Sequence, residues 1–136
     1  MKIIRKAIIL ALLSVLLLSG CGGAKMDITS SSSKAKIKIN DAEDGTYAEI
    51  STMSVNKNKT VHIESSLNKG KLKIEFAEAI KTSGSGESDE YVGGAVLETA
   101  EVGPGDSLDL SLANGDYVVQ LTCVGQSDGT VEINIQ

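Results

Sequence analysis

Few residues in this chain have chemistry to offer. They are two cysteines, Cys21 and Cys123, a single histidine, His62, and short acidic clusters at Asp41-Ala42-Glu43-Asp44-Gly45 and Asp89-Glu90. A cysteine nucleophile needs a base, and no spacing in the chain brings His62 to Cys123. Zinc takes three or four nitrogen or sulfur ligands, so a lone histidine flanked at alternate positions by Thr60 and Glu64 reads as an exposed strand residue. The oxygen-rich stretch from Asp41 to Gly45 has ligand types that calcium uses, but it lacks the twelve-residue loop and closing glutamate of an EF-hand. Adjacent acids such as Glu43-Asp44 read as solvated pairs, because a general acid/base dyad needs burial to separate the two pKa values. Gly84-Ser85-Gly86 lacks the spacing of a serine-nucleophile elbow, and no phosphate loop or dinucleotide fingerprint is present. The chain therefore predicts no cofactor, no metal site and no catalytic residue.

The N-terminus is more specific. Lys2, Arg5 and Lys6 precede an apolar stretch from Ala7 to Leu18 that is broken only by Ser14, the order of a secretory signal. The stretch is shorter than the roughly twenty residues a membrane-spanning helix requires. It runs directly into Leu18-Ser19-Gly20-Cys21, which resembles the lipobox of bacterial lipoproteins. That resemblance implies cleavage between Gly20 and Cys21, with a diacylglyceryl thioether on the Cys21 sulfur and acylation of the new amino group. Two or more chains make such an anchor stable, whereas one holds only marginally. Cys21 is thus expected to be a lipidation site rather than a reactive thiol, and the membrane is the expected partner. In a host with two membranes, Gly22 rather than Asp after the lipidated cysteine points to the outer one, by resemblance to enterobacterial sorting rules.

Loss of residues 1 to 20 removes three cations and leaves ten against eighteen anions, a net charge of −8. Such a chain is not expected to bind nucleic acid, or an anionic surface, through charge. Residues 21 to 33, Gly- and Ser-rich, read as a flexible lipidated tether, and residues 34 to 136 as one domain.

From Lys34 onward the hydrophobic period is two. Lys34 to Asn40 alternates lysine with Ala35, Ile37 and Ile39, and Ala48 to Val55 does so with a slip near Thr52 that predicts a bulge. Val61, Ile63, Ser65 and Leu67 share one face, as do Leu72, Ile74 and Phe76, and Asn68-Lys69-Gly70 between them reads as a hairpin turn. Ala77 to Ile80 fits a helical turn or a strand end equally. Thr82 to Asp89 reads as a Gly-rich connecting loop, and Val102 to Asp106 as a turn carrying the only proline. Leu108, Leu110 and Leu112 alternate before Asn114-Gly115. The last two runs place Tyr117, Val119, Leu121 and Cys123, and then Val131, Ile133 and Ile135, on single faces, with Gly125 to Gly129 between them as a hairpin signal.

Short strands in this number predict an all-β fold, an antiparallel β-sandwich of about seven or eight strands of Greek-key, immunoglobulin-like or jelly-roll-like type. Leu112 to Tyr117 resembles the tyrosine corner of such sandwiches, which implies that the Tyr117 hydroxyl folds back to backbone a few residues upstream. The order of this C-terminal half also looks like that of small uncharacterised lipoproteins of Gram-positive bacteria. Cys123, facing inward, reads as a buried free thiol.

The expected function is a non-catalytic binding or envelope-associated module displayed on the extracytoplasmic face of the cell membrane, with an envelope protein or a glycan as partner. A carbohydrate-binding module is the sharper form, although the chain has no Trp for an aromatic platform, and the acidic loops suit a protein partner or calcium better. The competing class is a hydrolase with an unrecognised site, which would show turnover sensitive to His62→Ala or Glu43→Ala.

Overall fold

The computed structural model describes residues 25–57, 59–82 and 90–136. The leader, Cys21 and the Gly-rich stretch from 83 to 89 lie outside them. Seven antiparallel strands follow in chain order: β1 (Met26–Ser30), β2 (Lys34–Ala42), β3 (Tyr47–Val55), β4 (Lys59–Thr82), β5 (Glu90–Val102), β6 (Ser107–Leu112) and β7 (Gly115–Ile135). All belong to one sheet, with β1, β2, β7, β4 and β5 in line, β3 paired to β7 and β6 paired to β4.

The two long strands organise everything else. The start of β4 pairs with the end of β7, from Val61 opposite Ile135 to Leu67 opposite Gly129. Its continuation pairs with the start of β7, from Lys71 opposite Val124 to Glu78 opposite Tyr117. A first half-sheet thus reads β1, β2, end of β7, start of β4, β6, and a second reads β3, start of β7, end of β4, β5. One face of each half is closed to solvent: Ile37, Ile63, Val131 and Ile133 in the first, and Leu72, Ile74, Phe76 and Leu121 in the second, are all 0% exposed. They belong to one apolar cluster. The sheet is therefore folded over on itself as a two-layer sandwich, with the expected all-β class.

The fold in the sheet corrects two sequence readings. Asn68-Lys69-Gly70 and Gly125 to Gly129 are not hairpins; each lies inside an unbroken strand. They face one another, where the β4 and β7 register shifts between Leu67 and Lys69 and again between Lys69 and Lys71. Bulges of this kind let a strand pass from one layer of a sandwich to the other. On β4 the shift also changes which parity points inward, from Val61, Ile63 and Leu67 to Leu72, Ile74 and Phe76, so both runs meet the same core. Gly70 has φ +80° and Gly129 φ +130°, conformations that carry a penalty for any residue with a Cβ. A Cβ on Gly129 would stand 2.5 Å from the Leu67 Cα, and one on Gly70 would stand 2.5 Å from the Gln126 carbonyl oxygen.

A third correction concerns the tether, expected to cover residues 21 to 33. Met26 to Ser30 is an edge strand paired with β2, because Met26 and Ile28 alternate with polar residues and pack their half-buried side chains against the core. The uncertain stretch from Ala77 to Ile80 simply continues β4. Three further expectations agree with the structure. The register slips between Ile50 and Met53, Cys123 points inward and is 1% exposed, and the buried Tyr117 hydroxyl donates to the Ala113 carbonyl at 2.7 Å. Tyr117 also meets Phe76 edge-on, with centroids 6.3 Å apart.

Candidate functional site

Residues directly opposite one another in antiparallel strands project from the same side of the sheet, so the register alone lays out the solvent face of the second half. One row runs Tyr47, Thr122, Lys73, Glu101. The next runs Glu49, Gln120, Glu75, Thr99, and a third Val118, Ala77, Val96. At the usual strand spacing each four-residue row spans about 14 Å, and successive rows lie roughly 7 Å apart.

The face has a closed floor and a raised side. Ala77 and Val118 point away from the core yet are 0% exposed. The cause is β5, whose register against β4 shifts between Phe76 and Ala77 and again before Ala79. This brings Gly93 over the face, where a Cβ would stand 2.6 Å from Gln120 Nε2 and 3.3 Å from the Ala77 Cβ. Glycine permits that approach. On the opposite side Tyr47 stands 52% exposed, its hydroxyl donating to Glu49 Oε2 at 2.6 Å. Partial burial, then the bond to Glu49 and the charges of Glu49 and Glu75, push the Tyr47 hydroxyl pKa upward, so it remains a donor. The Lys73 ammonium stands 3.8 Å from Glu75 Oε2. An aromatic ring, three carboxylates, an ammonium, a primary amide and two threonine hydroxyls thus share one surface about the width of a short oligosaccharide. Carboxylates and amides can bond vicinal hydroxyls in pairs, and a ring can cover an apolar patch of C–H groups.

Sequence reasoning missed this face. It began β3 at Ala48 and so left Tyr47 outside the strand, where an aromatic on the polar parity goes unnoticed.

The acids singled out from the sequence have other work. Asp41 Oδ1 accepts from Gln126 Nε2 at 2.8 Å and from the Lys69 ammonium at 3.1 Å, which holds its carboxyl below the ordinary range. Asp44 Oδ1 accepts the Gly125 backbone N–H at 2.7 Å. Asp128 accepts from the Asp41 backbone N–H at 3.0 Å and from Asn68 Nδ2 at 2.9 Å. These carboxylates tie down the corner where β4 and β7 bend, satisfying N–H groups that the bulges free from the ladder. Calcium, considered for Asp41 to Gly45, finds no converging ligand set, and among the described residues no three His, Cys, Asp or Glu side chains are grouped to hold a metal ion.

His62 lies half-buried on the other outer face. Its Nδ1 is 2.6 Å from Asp109 Oδ1, its Nε2 3.5 Å from Ser107 Oγ and 3.9 Å from Glu64 Oε1. The order serine, histidine, aspartate is that of an acyl-transfer triad, but the geometry is that of cross-strand pairs on a wet surface. A triad aspartate is buried to hold one tautomer, whereas the Asp109 side chain is 62% exposed and Glu64 competes for the nitrogen that would take the serine proton. Cys21 and Asp89 lie outside the described residues.

No protein-family model matches the chain, and no curated protein matches it. Among solved structures it is similar to the C-terminal family 6 carbohydrate-binding module of LamC, a marine laminarinase from Zobellia galactanivorans, at 13% identity and a TM-score of 0.40, covering 81% of this chain and 88% of that one. It is similar to a carbohydrate-binding module from Cellvibrio mixtus lichenase 5A, solved with cellotriose, at 11% identity and a TM-score of 0.39, covering 83% and 87%. A structure described as a family 4 carbohydrate-binding module overlaps at 13% identity and a TM-score of 0.36, covering 82% and 76%.

Proposed function

We propose that this protein is a lipid-anchored, extracytoplasmic binding module without catalytic activity, and that the outer face of its second half-sheet takes a glycan. The anchor rests on Leu18-Ser19-Gly20-Cys21 behind a charged and then an apolar segment. The glycan rests on one observation: a half-exposed Tyr47 ring stands opposite Thr122, one row from Glu49, Gln120 and Glu75, on a face with a closed apolar floor. Nothing in this arrangement breaks a bond. It offers a rigid, pre-ordered set of hydrogen-bonding groups on strands rather than loops, which lowers the ordering cost of binding.

The test is a glycan array probed with the mature, lipidated protein in detergent micelles. Binding to a polysaccharide class is expected, with Tyr47→Ala and Gln120→Ala each lowering affinity tenfold or more while leaving the thermal midpoint unchanged. Binding that survives both substitutions, or an array with no retained glycan, would remove this reading. Intact mass checks the anchor separately: residues 1 to 20 should be absent and a diacylglyceryl adduct present on Cys21.

A further inference from the structure

We infer that the β1–β2 side of the first half-sheet's outer face seats on anionic phospholipid headgroups of the membrane that holds the anchor, so that the glycan face on the other layer looks outward. This rests on the lipidation of Cys21 proposed above.

The acidic chain keeps a basic edge. On β2, Lys34, Lys36 and Lys38 are exposed while Ala35, Ile37 and Ile39 are buried. Three cations thus line one face at about 7 Å spacing. Lys25 joins them where the chain enters β1, held by a bond from the Asn40 N–H to its carbonyl at 2.8 Å. The anions on the same face are Asp27, opposite Lys38, and Glu132, opposite Lys36, and farther across it Glu64, opposite Glu132, and Asp109, opposite His62. Lys25, Lys34, Lys36 and Lys38 against Asp27 and Glu132 leave the β1–β2 side at +2, while Glu64 and Asp109 make the β4–β6 side acidic, in a mature chain whose net charge is −8. Asp41, near Lys25, is already bonded to Lys69.

The same edge carries an open depression of about 460 Å³, lined by Thr29, Ser30, Ser31, Lys34, Lys36 and Asn134, with Glu132 the one acid on its wall. Ammonium, hydroxyl and amide donors in one hollow suit the oxygens of a phosphodiester. Distance permits the contact. Four residues separate Cys21 from Met26, so the start of β1 lies at most about 18 Å from the Cα of the lipidated cysteine. Because β1 and β2 run antiparallel, Lys38 sits level with Asp27, at the tethered end. Screening limits the membrane's field to roughly 8 Å, so the tether allows contact without enforcing it. The uneven charge then selects which face turns inward.

The test compares mature lipidated protein on vesicles of phosphatidylcholine alone with vesicles that also contain phosphatidylglycerol, reading acetylation of each lysine by mass spectrometry. On the anionic vesicles Lys34, Lys36 and Lys38 should react about fivefold more slowly or less, with Lys69 and Lys73 unchanged and the difference gone at high salt. A Lys34→Glu, Lys36→Glu, Lys38→Glu variant, altered only at exposed positions, should lose the matching protection of Lys25. Equal rates on both vesicles would overturn the inference. Equal protection by a soluble glycerol-phosphate polymer added to neutral vesicles would overturn it too, assigning the face to an envelope polymer. Flotation with neutral vesicles reports the anchor alone. If that fails, flotation of the same protein with anionic vesicles still decides the face, since binding supports it and its absence refutes it.

Discussion

The two outer faces of the folded sheet begin from the same alternation and end unlike. On the first half the alternation is regular from Lys34 to Ile39, and over that stretch β2 exposes every second residue, all three of them lysines. On the second half the bulges of β5 curl Gly93 over Ala77, so two outward residues are fully buried and a shaped surface results. Regular pairing leaves a face to be characterised by charge alone. Irregular pairing builds relief, and relief can fix the orientation of a ligand. On the proposed reading the difference also divides tasks, with attraction to a charged surface on one side and recognition of a particular shape on the other.

This contrast depends first on the corner that sets the two faces back to back. Gly129→Ala and Gly70→Ala place a methyl against backbone at positive φ, and each should cost about 3 kcal/mol or more in urea unfolding. Gly45, at φ +88° with nothing within 4 Å of a Cβ, provides the control: Gly45→Ala should cost about 1–2 kcal/mol, the conformational penalty alone. Equal losses at the three sites would mean that the corner is loosely packed and does not hold the layers.

Next in size is Cys123, on the inner side of the strand that carries Gln120 and Thr122. Cys123→Ser should cost about 1–3 kcal/mol by leaving a hydroxyl in an apolar site, and the native thiol should react with thiol reagents only on unfolding. Burial pushes this thiol up from its ordinary value near 9 to about 11. Unfolding restores the ordinary value, so its contribution to stability is complete below pH about 9 and is lost as pH rises through about 11. Unfolding midpoints measured across that range should decline for wild type and be flatter for Cys123→Ser. Rapid native labelling would instead mean a strand slipped by one residue, which would exchange the inner and outer rows.

Tyr117→Phe removes the bond to the Ala113 carbonyl and should cost about 1 kcal/mol. A neutral result would show that the ring alone holds the turn into β7.

The smallest stability effects separate the faces most cleanly. In Gly93→Ala the new methyl meets only the flexible end of Gln120 and the Ala77 side chain closely. The cost should be under about 1 kcal/mol, while glycan affinity falls because the amide is displaced. His62→Ala, on the other face, should leave both stability and glycan affinity nearly unchanged. Loss of glycan binding in His62→Ala but not in Gly93→Ala would exchange the roles given to the faces.

Local pattern carried much of the fold. The alternations through Ile37, Leu110, Val119 and Ile133 are visible in the chain because each strand has one dry face, and the tyrosine corner and the slip near Thr52 involve residues close in sequence. Met26 and Ile28 were harder to see, since two apolar residues among Gly and Ser do not outweigh a tether's composition until β2 offers them a partner.

Asn68-Lys69-Gly70 and Gly125 to Gly129 mark the limit of that pattern. A glycine at positive φ between two apolar runs serves a hairpin and a bulge equally, so the residues required a departure from regular strand without saying which. Pairing between β4 and β7, some sixty residues apart, made the choice, because keeping both strands unbroken buries both halves of each against one core. Long-range contacts likewise assigned Asp41, Asp44 and Asp128 to the corner, and the pairing of β3 with β7 laid Tyr47 opposite Thr122. Alternation along the chain says which residues are dry. Which of them become neighbours is settled only when distant strands find a common register.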